Sequence, residues 1–566
     1  MKRLILFFTI VLLPIGVAFA ADPPVGSNPA AQGQRYEEDV RLEEKKLEKK
    51  KVEKPQIDIK EEEKPTAPAI TFVLKGIKIT GAVAIKEEKL ILVYQPYIDK
   101  QITQVELDAI MNKIKAAYKD KGYLTVIVFL PEQEIKDGVV EIRVVEGKMG
   151  SLTIEGNKDF SEKLIAKYIH AKKNEILDFK ILQRDIMRLN QTPDLEVRAV
   201  LTAGKEPQTS DVILKIKDSF PWHVGFTEDS QGTRLSGKYR SSVYLRTSNL
   251  TGNLDSLFVN TLYSGLSSGE SVTYALPLNT FGTKFGMEIV NFKSKLGGDF
   301  KPQDIEGTTE IYNPYLTFEL YLDEFLQANA NLGINIKSVE KTISGIRTAD
   351  DQLRMPYFGF DITESDVNGE TNFSPNFTFS PEGFLGASKK NHPTASRAGT
   401  GGFFFNYSQA LNRTQKMPWE SYAAIRSQFQ IPTHTLPSSE QLQLGGFNSV
   451  RGYAEGDYLA DLGFFIRNDW FLPMYLIPKD WKLQDSATLL RNRIEPILFA
   501  DIGAGKLKKT LSGEKHEKFL AGIGAGVRLR LYKKSALILE WAKHVGDAPA
   551  GGNGPATFNF IFQAEY

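Results

Sequence analysis

The sequence predicts two small α+β domains followed by a closed antiparallel β-barrel of about sixteen strands that crosses a membrane. Three observations carry this reading. An export leader opens the chain, two β-α-β patterns follow one another before residue 218, and from about residue 219 to Tyr566 apolar residues recur with the two-residue period of strands. After the leader no stretch is apolar for the roughly 20 residues that a helical span needs. A barrel escapes such a scan because lipid-facing and lumen-facing side chains alternate along each strand.

Residues 1–20 carry Lys2 and Arg3, an apolar run from Leu4 to Val17 and the small-x-small pattern Ala18-Phe19-Ala20, the order of a cleaved signal peptide. The run is short for a bilayer span and Pro14 interrupts it, so a mature chain beginning near Ala21 is expected. Residues 21–67 are lopsided: a Pro/Gly/Ala/Gln stretch, then Glu37 to Lys54 dense in Glu, Lys and Arg, then Lys54-Pro55 and a second charged segment reaching Pro68. Val40, Leu42, Leu47 and Val52 make a thin stripe for a buried helix. Glu37 and Glu38 early and Lys49 to Lys51 late suit the dipole of a solvated helix over about 35–54; a disordered linker fits the same composition.

Residues 68–147 form the first β-α-β unit. Phe72 to Thr80 reads as strand, and Val105, Leu107, Ile110, Met111, Ile114 and Tyr118 share a helical face that Gly122 ends. Leu124 to Phe129 and Val139 to Val145 read as strands, the second entered through the hairpin-type pair Asp137-Gly138. Residues 148–218 repeat the pattern: a strand at Leu152 to Glu155, a turn at Gly156-Asn157, a helix capped by Ser161 and running to His170, a helix from Phe179 to Leu189, then strands at Val197 to Thr202 and Asp211 to Lys217.

Residues 219–566, at about 22 residues per strand with its share of turn, supply about sixteen strands. In the last strand Phe558, Phe560, Phe562, Ala564 and Tyr566 fall on one face and Thr557, Asn559, Gln563 and Glu565 on the other, with Ile561 the exception. Val527, Leu529 and Leu531 alternate with Arg528 and Arg530, which places the arginines in the lumen, because arginine on lipid costs about 2–4 kcal/mol at the midplane. The same parity sends Gly522, Gly524 and Gly526 to the lumen. One strand earlier, Arg493, Glu495, Asp501, Gly503 and Gly505 share the lumen face. Two neighbouring strands thus present a carboxylate beside a strip without side chains, a wall shaped to receive something.

The composition narrows the chemistry. With 70 basic and 69 acidic residues the net charge is +1, so no bulk attraction to nucleic acid follows; 46 Gly, 35 Phe and 21 Tyr suit a barrel wall; and no cysteine is present for thiolate chemistry or disulfides. Gly503-Ala504-Gly505-Lys506 misses the phosphate-loop spacing, and Gly522 to Val527 runs into a strand rather than a helix. The six histidines lack metal-ligand spacing. No catalytic residue, cofactor or metal is expected, and the chain does not read as an enzyme.

Leu444 to Tyr453 read L-G-G-F-N-S-V-R-G-Y, and Phe499-Ala500-Asp501-Ile502-Gly503 follows downstream. This pair of motifs resembles the outer-membrane transporters of two-partner secretion, the TpsB family of POTRA-barrel proteins. Val145-Glu146-Gly147 looks like the end of a POTRA domain. Leu189-Asn190-Gln191-Thr192-Pro193 with Glu206-Pro207-Gln208-Thr209-Ser210-Asp211 is similar to the second POTRA of that family. Asp229-Ser230-Gln231-Gly232 departs at its second position from the family's Asp-Asn-x-Gly, while Asn249-Leu250-Thr251-Gly252 with Asp255 fits.

The resemblance implies two periplasmic POTRA domains and a pore, monomeric and surrounded by outer-membrane lipid, that exports an unfolded passenger of haemolysin or adhesin type. It implies an N-terminal helix threading the lumen, and a terminal strand, with Phe558, Phe560, Phe562 and Tyr566, read by the barrel-assembly machinery. The long stretch near 433–458, carrying Gly445, Gly446, Val450, Arg451, Gly452 and Tyr453, is expected to fold into the lumen. There Arg451 would pair with Asp501 of the Phe499, Asp501, Gly503 motif, and Gly452 would approach the glycine strip. The passenger would dock by adding a strand to a POTRA edge, with Val197 to Thr202 a candidate. The rival readings are a factor that inserts other barrels, a passive diffusion channel, and an adhesive barrel displaying the stretch Ala349 to Gly402.

Overall fold

Strands with one apolar and one polar face must satisfy lipid outside, water inside and every backbone group in between, and ring closure does all three. The computed structural model describes residues 23–48, 57–59, 71–481, 490–511, 513–532, 534–550 and 556–566. The expected signal peptide over 1–20 lies outside them.

Helix α1 (Pro29–Glu48) comes first, then a short strand β1 (Ile57–Ile59). The first small domain comprises β2 (Thr71–Val73), β3 (Gly76–Thr80), α2 (Glu87–Tyr94), β4 (Gln101–Thr103), α3 (Gln104–Lys121), β5 (Ile127–Phe129) and β6 (Val139–Val145). Thr103 and Glu106 cap α3 reciprocally, and Gly122 ends it in the left-handed region at φ 103°. Leu107, Ile110, Ile114 and Tyr118 of α3 are fully buried against Val140 and Ile142. The strand expected from Phe72 to Thr80 is two strands, broken where Leu74 and Lys75 turn to pair with Lys100 and Gly138.

The second domain comprises β7 (Lys148–Glu155), α4 (Glu162–Lys167), α5 (Phe179–Asn190), β8 (Leu195–Ala203) and β9 (Thr209–Asp218). Ser161 caps α4, which ends at Lys167, short of His170. Its sheet runs β1-β8-β9-β7, so the candidate docking edge Val197 to Thr202 is already occupied. Ile57, Asp58 and Ile59 pair in parallel with Ala199, Val200 and Leu201.

The closed barrel has sixteen strands. They are β10 (Trp222–Asp229), β11 (Arg240–Thr247), β12 (Ser256–Ser264), β13 (Ser267–Pro277), β14 (Lys284–Lys295), β15 (Ile305–Leu322), β16 (Leu326–Ile343), β17 (Ile346–Asp366), β18 (Gly369–Ser380), β19 (Phe404–Lys416) and β20 (Tyr422–Pro432), then, after an inward loop bearing β21 (Leu442–Leu444) and β22 (Tyr458–Ala460), β23 (Leu462–Phe471), β24 (Ile494–Lys506), β25 (Glu517–Tyr532), β26 (Ser535–His544) and β27 (Ala556–Glu565). The ring closes through β10 and β27 from Gly225↔Glu565 to Asp229↔Ile561. Ile561 therefore shares the lumen face of Asp229, an apolar residue among the polar ones of that face. Ala349 to Gly402 is not one long loop: it is mostly β17 and β18, whose alternating Leu353, Met355 and Tyr357 complete the wall.

Candidate functional site

The loop joining β20 to β23 leaves the end of the barrel opposite the small domains and folds back inside. Gly445 and Gly446 take φ of 98° and 103°, and the Gly446 amide donates to the Val450 carbonyl, closing the turn that aims Arg451 at the wall. Val450, Tyr453, Leu442, Leu444 and Tyr458 bury the underside of the loop against Phe465, Leu507 and Leu520. Asp461, fully buried, fixes the return: it accepts from the Leu436 and Lys508 amides at 3.0 and 2.8 Å and from Gln441 Nε2 at 3.0 Å.

Arg451 has 0% exposure. Its Nε and one terminal nitrogen donate to the two oxygens of Asp501 at 2.7 and 2.8 Å, and its own amide donates to Asp501 at 3.1 Å. The remaining nitrogen lies 2.7 Å from Asp469 and 3.0 Å from Glu540. Arg467 shares these last two carboxylates at 3.2 and 3.6 Å. The Phe499 ring lies beneath the Arg451 guanidinium, 3.5 Å from its centroid. In register, Asp501 stands between Arg467 of β23 and Gly522 of β25.

The three glycines of β25 have separate tenants. A Cβ on Gly522 would overlap the Arg451 carbonyl, one on Gly524 the Phe499 ring, and one on Gly526 the β26 backbone and the Glu540 side chain. Gly452 does not approach this strip as expected; at φ 92° it lies against the Lys543–His544 backbone, where any side chain would collide. Gly503 takes the Val450 methyl group. The expected pair Arg451–Asp501 is thus brought together, but within a five-member cluster. Glu540 and Asp469 were missed. Glu540 is the one acid on the inward parity of β26, and Asp469 shares the inward parity of β23 with Arg467, a signal present in the sequence.

Helix α1 fills much of the remaining lumen. Tyr36 and Val40 bury against Tyr244, Phe258, Leu262, Val290, Phe292 and Ile311, an apolar patch on the inner wall that completes the thin stripe. Charges set the helix in place: Arg41 pairs with Glu288 at 3.0 Å, Asp39 with Arg240 at 2.8 Å, and Lys45 with Asp361 at 3.1 Å. Lys337 of β16 holds Glu37 of the helix at 2.8 Å and Glu440 of the inward loop at 2.7 Å. Helix and loop also touch directly, with Arg35 donating to Gln443 at 2.9 Å and Asn448 to Asp39 at 2.9 Å.

The second small domain is fastened to the mouth of the barrel. Arg188 of α5 pairs with Glu319 of β15 at 2.7 Å, while His170 bonds Asp185 and Thr280, each at 2.8 Å, and stacks on Phe281. Asn249 and Asp255 hold the β11–β12 turn through the Leu254 and Thr251 amides, which presses Leu254 onto the domain core. At the barrel seam Glu565 accepts from Arg246 at 2.8 and 2.9 Å. Phe558 is 56% and Tyr566 98% exposed, on the face away from the lumen.

The haemolysin secretion/activation proteins, the ShlB/FhaC/HecB family, match residues 208–529, and the ShlB-type POTRA domain matches residues 72–147. The heme/hemopexin transporter protein HuxB of Haemophilus influenzae is 24% identical over 456 residues, 78% of this chain and 78% of HuxB. The outer membrane transporter CdiB of Dickeya dadantii strain 3937 is 21% identical over 435 residues, 74% of this chain and 76% of CdiB. Among solved structures, CdiB from Escherichia coli has the same fold, with a TM-score of 0.75 at 17% identity, covering 97% of this chain and 100% of that one.

Proposed function

The chain belongs to the haemolysin secretion/activation family, and from that membership we propose how this outer-membrane transporter of a secreted partner protein works. Its POTRA domains lie in the periplasm and its barrel in the outer membrane. The passenger, of haemolysin or adhesin type, arrives unfolded and adds a strand to a POTRA edge, where main-chain hydrogen bonds supply affinity. On β8 it must displace the chain's own Ile57–Ile59, which holds that edge in the resting state. The helix and the inward loop then yield, the passenger crosses a single, monomeric barrel seated in lipid, and its folding outside prevents return. No catalysis by this chain enters the account. The lipid-facing Phe558, Phe560, Phe562 and Tyr566 of the last strand serve the assembly machinery during biogenesis.

One observation carries this mechanism: the lumen is closed by two segments of the chain, tied to the wall and to each other by the ion pairs Arg451 to Asp501 and Lys337 to Glu37 and Glu440. The test is secretion into the medium of a long exported protein encoded beside this chain, by the intact transporter and by Arg451→Ala at matched folded barrel. Export by the first and loss with the second is expected. A general fall in other outer-membrane barrels on deletion, with no effect on the partner, would refute it.

A further inference from the structure

The two walls of the lumen differ in chemistry. Under α1 the inner wall carries an apolar patch that the helix seals: Val290, Phe292 and Ile311 are 1%, 5% and 0% exposed. Across the lumen, β18, β19 and β20 present another surface. Asn376 pairs in register with Ser408, Ser374 with Ala410 and Asn372 with Asn412, and Ala410 in turn with Gln428 of β20. Ser374 donates to Asp361, the lumen partner of Lys45, which fixes this whole set on the inner face. All remain partly open with the helix in place.

Resting on the export reading above, we infer that this strip of neutral amides and hydroxyls is the track along which the extended passenger slides once the plug has yielded, and that α1 rests chiefly on the other wall, meeting the strip's border at Lys45 and Asp361. Asn and Gln side chains both donate and accept, so they can replace water on a passing peptide group of any sequence. From Asn372 to Asn376 on β18 and from Ser408 to Asn412 on β19 the inward positions carry no charge to trap a charged side chain and little apolar area to hold a hydrophobic one. Charged groups flank these two strands: Arg426 of β20 beside Asn412 in register, Asp361 of β17 against Ser374, and Glu370 opposite Thr414 at the periplasmic end. At the extracellular end the track runs into the inward loop, where Gln430 donates to the carbonyls of Glu440 and Asp461 and is 5% exposed. The loop therefore closes the extracellular end of this path.

The absence of cysteine makes single-site chemistry clean. Full-length protein carrying Asn376→Cys or Asn412→Cys, and separately Val290→Cys or Ile311→Cys, is reconstituted in liposomes. Each is exposed from the periplasmic side to a synthetic peptide of Gly, Ser, Thr and Asn bearing one cysteine activated as its 2-pyridyl disulfide. The protein thiolate attacks the peptide sulfur, a mixed disulfide forms and pyridine-2-thione leaves. Adducts forming at least tenfold faster at positions 376 and 412 than at 290 and 311 are expected. Equal rates, or faster reaction under the helix, would overturn the track. A second measurement protects against a misfolded cysteine variant: Asn376→Lys with Asn412→Lys should slow partner secretion severalfold at unchanged folded barrel, and undiminished secretion would count against the track. Failure of the intact protein to secrete its partner would instead sink the export reading itself.

Discussion

Removing Arg451 should unseat the inward loop far more than removing its main partner. The cluster holds three carboxylates, Asp501, Asp469 and Glu540, and two guanidiniums, Arg451 and Arg467, for a sum of −1. Arg451→Ala leaves three buried acids facing one arginine. Asp501→Asn leaves two acids facing two arginines, a balanced set, with the amide oxygen still able to accept from the Arg451 backbone. Stripping a buried ionic group of its partner costs about 3–5 kcal/mol, which raises the unseated population roughly 150- to 5,000-fold. Losing one charge-assisted bond while other partners remain costs about 1.5–3 kcal/mol, roughly 10- to 150-fold. The reporter is Ser449→Cys, a near-isosteric change at a site 5% exposed in the seated loop. Its labelling rate by a maleimide polymer, in liposomes, follows the unseated fraction. Labelling as fast in the Asp501→Asn background as in Arg451→Ala, or no acceleration in either, would refute the electrostatic reasoning.

Lys337→Met leaves Glu37 and Glu440 buried without their shared cation, so helix and loop should loosen together and single-channel conductance in planar bilayers should rise; an unchanged closed pore would count against a joint lock. Exchanging Ile57 and Ile59 for Gly should free the β8 edge and tighten binding of an alternating Thr/Val peptide severalfold by fluorescence anisotropy. Arg188→Ala leaves Glu319 without a cation at the POTRA–barrel junction, so spin-label distances between the second POTRA and the barrel should broaden. For Asp218, burial alone would raise the carboxyl, but the amides of Lys158, Asp159 and Phe160 outweigh it and hold the value below the usual range. Its contribution is therefore complete above the ordinary value of about 3.9 and lost as pH falls through the lower folded value. Amide exchange at those three residues should accelerate over that window, and Asp218→Asn should abolish the dependence.

Much of the wall was legible because the two-residue period is enforced by physics: Arg528 and Arg530 cannot face lipid, so their parity fixed Gly522, Gly524 and Gly526. The pair Arg451–Asp501 followed from a carboxylate beside an empty strip. What the period does not carry is which side chains meet across the lumen, and so Glu540 and Asp469 were passed over although each is the single acid of its strand. The helix was harder still. Tyr36 and Val40 look like a weak stripe because the surface that completes them, Phe292 and Ile311 among others, belongs to strands more than 200 residues later. Strand β1 pairs along three residues only, too short for any periodicity to register.

The helix, the loop and β1 share a physical property that bears on how a passenger could open the pore. Each is held in part by contacts that water or a competing strand can replace in kind: guanidinium on carboxylate in the lumen, beside the apolar patches, and backbone ladder on the POTRA edge. A passenger strand that takes β8 releases Ile57–Ile59, and those residues lie nine positions beyond the end of α1 at Glu48. The periplasmic end of the helix, at Lys45 and Asp361, is its more exposed one, with Lys45 62% exposed, whereas Glu37, 5% exposed, is bound deeper through Lys337. Release would therefore start at the weak end and reach Lys337 last, where the helix and the loop share one cation. Docking at the POTRA and unlocking of the loop are joined by one continuous stretch of chain, so no signal needs to travel through the barrel wall.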